Sequence, residues 1–416
     1  MGANITSAER DRKARIAVSL LFLANGLSLS VWLPRLAEIQ TSLNMSDATL
    51  GIVLACAAVG GLLFGPWAGY AAARWGSGRT AIVTLLLFAP LVPLIAIVPN
   101  AFVLALLLAW LGGMDAVMDA AMNAHGIRVQ KHYQRSILNS FHGYWSLGTV
   151  IGGGLGALSA ALGAPLLLSL LIAAVITVGC GIVAAGWTLP GKDPDSHLVA
   201  NEDDVLDATG AAADPGSVPL MRPRSRIPLS PTLILIGLFT LLAVVVEDVP
   251  ARWSSIYLTS IGTPEQWAGF AFVAFTSAMM VGRFTGDYLV NRFSEIRVVR
   301  VSMIATALAL ILGLASATAW GFIGACVVTG YGVATLFPAA MRAAAHLPGV
   351  RPATGVAMAS WLSRAGFVTA PFTVGLIAEG FGPGWGIATA ALAALGLVAL
   401  ASVLRWGSSP SVPAAH

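Results

Sequence analysis

The stretch that decides the fold is GGMDAVMDAAMNAHG, residues 112–126, which places two carboxylates and an amide inside a strongly apolar run. Asp115, Asp119 and Asn123 follow one another at intervals of four, so on a helix they form one polar stripe. An ionisable side chain at membrane depth is costly and is typical of an ion or substrate pathway. Two carboxylates one turn apart repel each other and burial disfavours their charged forms, so the stripe favours Asp119 and Asp115 as proton-coupling groups. A purely structural role, with hydrogen bonds to a neighbouring helix, is the alternative.

The composition around this stretch is that of a membrane protein. Of the 416 residues, 57% are hydrophobic and 10% are charged, whereas a soluble domain has about 25% charged residues. The net charge of +4 is spread over loops, so nucleic acid is not an expected partner. The three cysteines lie in apolar runs, and neither they nor the six histidines have the spacing of a metal site. No phosphate-binding loop or nucleophile motif occurs, so we predict neither an enzyme nor a cofactor.

Twelve apolar segments follow one another along the chain. Each is close to the ~20 residues that a helix needs to cross a membrane, and none alternates as a strand does. All but four of the 23 Lys and Arg residues lie on the same side as the N-terminus, which predicts that both termini are cytoplasmic. The predicted spans are residues 16–36, 48–73, 80–98, 101–124, 137–162, 165–189, 232–257, 265–290, 298–317, 319–344, 353–379 and 385–404.

A polar segment divides these spans into two groups of six. Residues 190–230 are rich in Pro, Asp, Ala and Gly and cannot bury a core, so they predict a cytoplasmic linker. The linker separates a bundle at 16–189 from a second bundle at 231–405, with cytoplasmic tails at 1–15 and 406–416. The predicted fold is therefore an all-α membrane protein with two pseudo-symmetric six-helix bundles. We expect the protein to be embedded in the lipid bilayer.

Related glycine motifs occur at corresponding places in the two halves. Residues 65–79 have the sequence GPWAGYAAARWGSGR, and residues 282–297 have the sequence GRFTGDYLVNRFSEIR. In both, two glycines four residues apart precede a basic residue, and this spacing lets helices approach closely. Such an internal repeat is typical of a secondary transporter. The motif residues that we expect to act in gating are Gly65, Gly69, Arg74, Gly282, Arg283, Gly286, Asp287 and Arg292.

Over nearly its whole length the chain resembles a major facilitator superfamily transporter. The resemblance rests on the six-plus-six spans, the central loop and the motif GRFTGD at residues 282–287 followed by Arg292. It implies that this motif packs the inner helix ends together and latches a cytoplasmic gate. In the first copy, Gly69 and Tyr70 stand where the motif has its acid, so no charge latch is expected there.

Within that superfamily, the fourth span resembles the fucose–proton symporter branch and its uncharacterised bacterial inner-membrane relatives, which implies a monomer in a bacterial inner membrane. The sequence DAAMN at residues 119–123 matches the branch's acid and asparagine, and HGYWSLGT at residues 142–149 is similar as well. The resemblance implies that Asp119 couples transport to protons. The branch has a second acid four residues before a proline, and here Ser30 stands in that place before Pro34, so fucose itself is not implied.

Further polar and aromatic residues within the spans are candidates for the site. Glu247 is either another proton-coupling group or the partner of Arg252 in an ion pair near the outer end. Arg364 either holds an anionic or hydroxylated substrate or neutralises Glu247 or Asp119. Aromatic faces and amides suit sugar-like ligands, with ordinary core packing as the alternative for each aromatic residue. The substrate-binding candidates are Asn25, Trp32, Asn123, His142, Trp145, Trp361 and Arg364.

The sequence as a whole predicts a secondary active transporter. Its partners would be protons and a small polar solute, sugar-like or a related metabolite, moved in symport by alternating access. The alternative is an exporter of drugs or metabolites that works by proton antiport, because the same acids would serve it. A sensor or scaffold without transport activity would not need charges inside the membrane.

Overall fold

Helices account for nearly all of the residues that the computed structural model describes, which are 7–133, 137–191, 231–347 and 352–406. The predicted linker, from residue 192 onward, lies outside these ranges, as does most of the predicted C-terminal tail. The predicted N-terminal tail is different, because its residues from Ser7 onward already belong to the first helix.

In the first half, proline placement decides where the helices stop being regular. Pro34 opens a short 3₁₀ turn at Leu33–Arg35, and a second 3₁₀ segment at Ala89–Ala96 contains two prolines that cannot continue α-helical bonding. The helices are α1 (Ser7–Ser30), α2 (Leu36–Ser42), α3 (Asp47–Trp75), α4 (Ser77–Phe88), α5 (Ala101–Tyr133), α6 (Leu138–Ala161) and α7 (Leu166–Ala185).

The second half follows the same order, with the predicted tenth span divided into two helices. A short break at residues 334–335 separates these two helices, α12 and α13. The helices are α8 (Pro231–Ser260), α9 (Glu265–Ala268), α10 (Phe270–Phe293), α11 (Glu295–Ser316), α12 (Ala319–Val333), α13 (Leu336–Ala345), α14 (Pro352–Phe381) and α15 (Pro383–Leu400), followed by a 3₁₀ turn at Ala401–Trp406.

Ten helical stretches among the described residues are long and apolar enough to cross a membrane. The twelve-span prediction adds α6 and α14 to these ten. The helix α6 is 24 residues long and rich in glycine, which lowers its hydropathy, and α14 is 30 residues long. The ten stretches make the protein a multi-pass membrane protein.

The loops after the two glycine motifs turn in the same way. Gly76 joins α3 to α4 with φ of 90°, and Ser294 joins α10 to α11 with φ of 73°. A positive φ is unusual for serine, because its Cβ crowds the backbone there. The same one-residue turn at corresponding places agrees with the internal repeat in the sequence.

Glycines bring the helices of the first half into backbone contact. A Cβ on Gly112 would lie 2.0 Å from the carbonyl oxygen of Ala57, so α5 lies directly against α3. Likewise, a Cβ on Gly148 or Gly152 would lie 2.1 or 2.3 Å from a carbonyl oxygen of α1. These contacts fix α5 and α6 against their neighbours and so position the polar residues that they carry.

The two ends of the bundle differ in charge. At one end, Arg128 of α5 donates a hydrogen bond to the Pro190 carbonyl (2.6 Å), and His132 contacts Asp11 of α1 (3.1 Å). We call this the basic end, because the starts of α1, α4 and α11 bring Arg10, Arg79, Arg297 and other cations there.

At the opposite end, the two halves meet. Thr41 of α2 donates a hydrogen bond to Glu265 of α9 (3.0 Å), and the Ala48 amide donates one to Glu379 of α14 (3.2 Å). A Cβ on Gly51 of α3 would lie 2.4 Å from the Pro371 carbonyl oxygen of α14, so these two helices also touch.

Candidate functional site

A chain of hydrogen bonds ties Asp115 to two other helices. The Asn25 amide nitrogen, on α1, donates to an Asp115 carboxylate oxygen at 2.7 Å. The Asn25 amide oxygen accepts a hydrogen bond from the indole Nε1 of Trp145, on α6, also at 2.7 Å. Asn25 is only 1% exposed. The structure thus uses both ends of the Asn25 amide to orient Asp115 and Trp145, whereas the sequence suggested a direct substrate contact.

Asp119 and Asn123 continue the polar stripe one and two turns further along α5. The Asn123 amide nitrogen donates to the Asp119 carboxylate at 3.0 Å and to the Asp119 carbonyl at 2.9 Å. Asp119 is exposed, which leaves its carboxylate open to solvent or to a ligand. The i, i+4 spacing seen in the sequence is therefore a real contact.

A cation from the other half lies close to this stripe. Arg364 of α14 lies close enough to interact electrostatically with both Asp115 and Asp119. One of its guanidinium nitrogens lies 3.3 Å from where a Cβ on Gly65 would stand, so the absence of a side chain on α3 leaves room for it. Of the roles predicted for Arg364, the placement favours an interaction with the acids of α5. Because Arg364 reaches them from the second half, the stripe faces the space between the halves.

A second charged group lies between α8, α10 and α6. Arg283 of α10 forms an ion pair with Glu247 of α8 at 3.7 Å. The same guanidinium donates a hydrogen bond to the Ser146 hydroxyl (2.7 Å) and lies over the Trp145 ring, 5.5 Å from its centroid. Arg283 was expected to act in gating as part of the second glycine motif, and the structure places it in this group. Sequence reasoning did not select Ser146, and its position beside Trp145 in the sequence was the only available signal.

The alternative pairing of Glu247 with Arg252 is not the one that forms. Arg252 donates instead to Asp248, at 2.5 Å, and Asp248 is 6% exposed. The reason is helical geometry, because Arg252 follows Asp248 by four residues and Glu247 by five. Glu247 is thereby left to face Arg283.

Three other residues that we predicted to bind substrate either lie outside these two charged groups or have a side chain outside the described residues. Trp32 is 7% exposed and belongs to the hydrophobic core. His142 is exposed and its ring meets the Phe22 ring edge-on at 5.2 Å. Trp361 is part of α14, but its side chain lies outside the described residues. Among the residues described, no group of three or more His, Cys, Asp or Glu side chains is placed to bind a metal ion.

Ser30, which stands four residues before Pro34, is buried where α1 packs against α6. The Ser30 hydroxyl donates to the Gly26 carbonyl at 2.6 Å and is 1% exposed. A Cβ on Gly152 of α6 would lie only 2.6 Å from that hydroxyl. The close packing of α1 on α6 therefore leaves no space for a longer carboxylate at this position.

The two copies of the glycine motif are packed differently. In the second, a Cβ on Gly282 would lie 2.8 Å from the Tyr331 carbonyl oxygen, and one on Gly286 would lie 2.6 Å from the Thr335 methyl group. In the first, Gly69 has open space around it. Three charged residues of the motifs are exposed and form no ion pair with any other described residue: Arg74, Asp287 and Arg292.

The second motif also borders an apolar groove. This groove, of about 840 Å³, lies between α10, α11 and α12 and is lined by Gly282 and Gly286 among others. It contains none of the residues of the two charged groups. It is therefore distinct from the candidate site.

The fold and the charges inside it define a membrane transporter, and the comparison with protein families gives its class. The sequence model of the Major Facilitator Superfamily matches residues 18–264 and 250–415. The chain therefore belongs to this superfamily, whose members are transporters and not enzymes.

Proteins of similar sequence include a transporter and a further membrane protein. The uncharacterized transporter y4wD of Sinorhizobium fredii is 29% identical over 361 residues, which cover 86% of this chain and 89% of that protein. The membrane protein MosC of Rhizobium meliloti is 27% identical over 374 residues, covering 88% and 84% of the two chains.

Solved structures show the same fold at low sequence identity. The nucleoside transporter NupG superposes with a TM-score of 0.71 at 12% identity, covering 95% of this chain and all of that one. A bacterial homolog of the human lysosomal transporter Spinster, in an inward-facing and occupied conformation, gives a TM-score of 0.67 at 13% identity, covering 94% and 96%.

Proposed function

We propose that this protein is a secondary active transporter that moves a small polar solute across a bacterial inner membrane in symport with protons. The observation that carries the proposal is the position of Arg364, which reaches from the second half to Asp115 and Asp119 of the first. When opposite charges lie on two halves that move apart, protonation changes the free energy of separating the halves, because a neutral acid no longer attracts the arginine. The coupling group is Asp119, supported by Asp115 and Glu247.

The proposed topology has twelve spans, with α6 and α14 added to the ten apolar stretches. The basic end, with both termini, faces the cytoplasm according to the positive-inside rule. Because the halves touch at the opposite end, the arrangement is closed towards the outside. Alternating access would then open that end and close the basic end around the bound solute.

The chemistry of the site supports a polar, partly ring-shaped solute. Asp119 and His142 are exposed, and Trp145 offers an aromatic face beside the two charged groups. Hydroxyl groups of a sugar can bond the charged side chains while its C–H face packs on an indole ring. NupG, which shares the fold, is a nucleoside transporter, so we add nucleosides to sugars as candidate solutes for this chain.

The test begins with finding the solute. Purified protein is heated with sugars, nucleosides, organic acids and cationic drugs, and a ligand of the folded state raises the midpoint of unfolding. Wild-type protein in proteoliposomes should then accumulate that solute when an inward proton gradient is imposed. Solute expulsion driven by the same gradient would contradict symport and favour the exporter alternative.

The coupling group is tested with Asp119→Asn, which mimics the protonated acid but cannot release a proton. We expect this variant to keep solute counterflow while losing accumulation driven by the gradient. Asp115→Asn should have a milder effect, because it removes a neighbouring charge and not the carrier. Asp11→Asn, which removes a carboxylate at the basic end, is the control and should behave as wild type. Gradient-driven accumulation by Asp119→Asn would show that the coupling lies elsewhere.

A further inference from the structure

A cleft of about 500 Å³ lies at the basic end, away from both charged groups of the transport site. It is formed by the start of α1, the start of α4 and the residues that follow α7. Three cationic side chains line it: Arg10 and Lys13 on α1, and Arg79 on α4. The lining that the structure describes contains no carboxylate. The cleft is therefore a concentrated positive site, and its chemistry suits an anion.

Two of the three cations are available to bind that anion. Arg10 and Arg79 are exposed and form no ion pair or side-chain hydrogen bond with any residue in the described parts of the chain. Lys13 pairs with Glu9 one turn earlier, at 2.9 Å, and keeps further ammonium protons free. A guanidinium group matches phosphate well, because its planar fork can donate two parallel hydrogen bonds.

Two large apolar side chains of the remaining lining are exposed, and they favour a lipid as the source of the anion. Val83 of α4 is 55% exposed and Trp187, just after α7, is 36% exposed. Both α4 and α7 belong to apolar stretches that can cross the membrane, so these side chains face lipid near the bilayer surface. Tryptophan is enriched at that depth, and basic pockets between helices there bind lipid headgroups. A ligand with both a phosphate and acyl chains matches this lining, whereas free phosphate would leave the apolar part unused.

We propose that this basic cleft binds the phosphate headgroup of an anionic phospholipid. Arg10, Lys13 and Arg79 hold the phosphate, while an acyl chain lies along Val83 and Trp187. The bound lipid would join α1 to α4 and to the end of α7, and so stabilise one side of the first half. The site is separate from the transport site, so the proposal stands or falls independently of the solute.

The experiment measures lipid binding to the full-length protein by native mass spectrometry in detergent. Phosphatidylglycerol and cardiolipin are titrated against phosphatidylcholine, which has a phosphate but no net charge. The variant Arg10→Gln/Lys13→Gln/Arg79→Gln removes the three cations of the cleft. A matched control, Arg12→Gln/Arg297→Gln/Arg300→Gln, removes three exposed cations elsewhere at the basic end.

We expect one anionic lipid to bind tightly to the wild type and to the control. The cleft variant should bind it about 100-fold more weakly, since each cation near a membrane surface contributes on the order of a factor of five. Equal binding of phosphatidylcholine, or equal weakening in the control, would overturn the proposal. A thermal-shift titration with inorganic phosphate and pyrophosphate separates the two sources of the anion. Stabilisation by these ions as strong as that by lipid would assign the cleft to a soluble anion.

Two single substitutions at Arg79 keep the proposal testable even if the triple variant does not fold. Arg79 is exposed, so Arg79→Gln should leave the fold intact and still weaken lipid binding several-fold. Arg79→Lys keeps the charge and should retain most of the affinity. Wild-type affinity in Arg79→Gln would also overturn the proposal.

Discussion

The two charged groups differ in which half of the molecule supplies their acids and their cation. In the first, the acids Asp115 and Asp119 lie on α5 of one half, and the cation Arg364 lies on α14 of the other. In the second, Glu247 and Arg283 both belong to the second half and pair at 3.7 Å. In the proposed alternating-access cycle, parting the halves would separate the charges of the first group and leave the ion pair of the second intact. Of the two groups, only the first would then have a different charge environment in the two access states.

The second group is connected to the first half by weaker contacts. Arg283 donates a hydrogen bond to Ser146 and lies over Trp145, and both of these residues are on α6. These contacts would break when the halves part, but neither involves a second full charge. The comparison predicts that variants of the first group disturb transport more than variants of the second.

After Asp119→Asn, which should lose gradient-driven accumulation altogether, the largest effect is expected for Arg364→Gln. It leaves two carboxylates without their cation, and we expect gradient-driven uptake to fall roughly 30-fold, or about 2 kcal/mol. This is less than the 3–5 kcal/mol of fully buried pairs, because Arg364 is exposed to water. The double variant Arg364→Gln/Asp119→Asn should recover solute exchange, since it removes the uncompensated charge. Uptake close to wild type in the single variant would contradict the assignment of Arg364.

Gly282→Leu should have the next largest effect, and it tests motion without altering either charged group. The leucine would collide with Tyr331 and Ala334, where α10 meets the end of α12. Overpacking of this kind costs about 1–3 kcal/mol, so we expect uptake to fall roughly tenfold. Solute binding, measured by thermal shift, should change less, because the glycine lies outside the site. Equal losses of binding and uptake in folded protein would count against a gating role.

Glu247→Gln is expected to be milder than Arg364→Gln. It removes the partner of Arg283 within one half, so the charge balance between the halves is changed only indirectly. We expect uptake to fall about fivefold with proton coupling retained, which corresponds to about 1 kcal/mol for a half-exposed pair. The ratio of accumulation to counterflow is the readout. Complete uncoupling by this variant would reverse the comparison and make Glu247 the proton carrier.

The smallest effect should come from Ser146→Ala. It removes one hydrogen bond to Arg283 across the halves, worth about 1 kcal/mol or less when water can replace it. Uptake should fall about twofold, with the pH dependence unchanged. Ser146→Thr, which keeps the hydroxyl, is the matched control. A loss of uptake in Ser146→Ala as large as that in Arg364→Gln would show that the second group, and not the first, couples uptake to the access state.

Features that depend on residues close together in the chain can be predicted from the sequence, whereas contacts between residues far apart in the chain cannot. The helical spans and the Asp119–Asn123 contact follow from hydropathy and from i, i+4 spacing, both of which are local. The position of Arg283 could not be predicted, because its motif occurs at a helix end while its partners come from α6 and α8.

The contacts of Asn25 have the same origin. Asn25 was selected as a substrate contact for its polarity, and the structure adds that its amide bonds Asp115 and Trp145, residues 90 and 120 positions away. The pairing of Arg252 is a different case. We expected Glu247 as its alternative partner, whereas Asp248 stands four residues before it, so local i, i+4 spacing could have predicted the observed pair.

The first turn of α3 is completed by a residue from the other half. Ser46 accepts a hydrogen bond from the Thr49 amide, and Glu379 of α14 accepts one from the Ala48 amide. A helix start has amide groups that need acceptors, and losing a capping side chain costs about 1 kcal/mol. In the proposed alternating-access cycle, each outward opening would break the Ala48–Glu379 hydrogen bond, and water would have to complete the first turn of α3. This small unfavourable step would bias the empty protein towards the arrangement in which this end is closed.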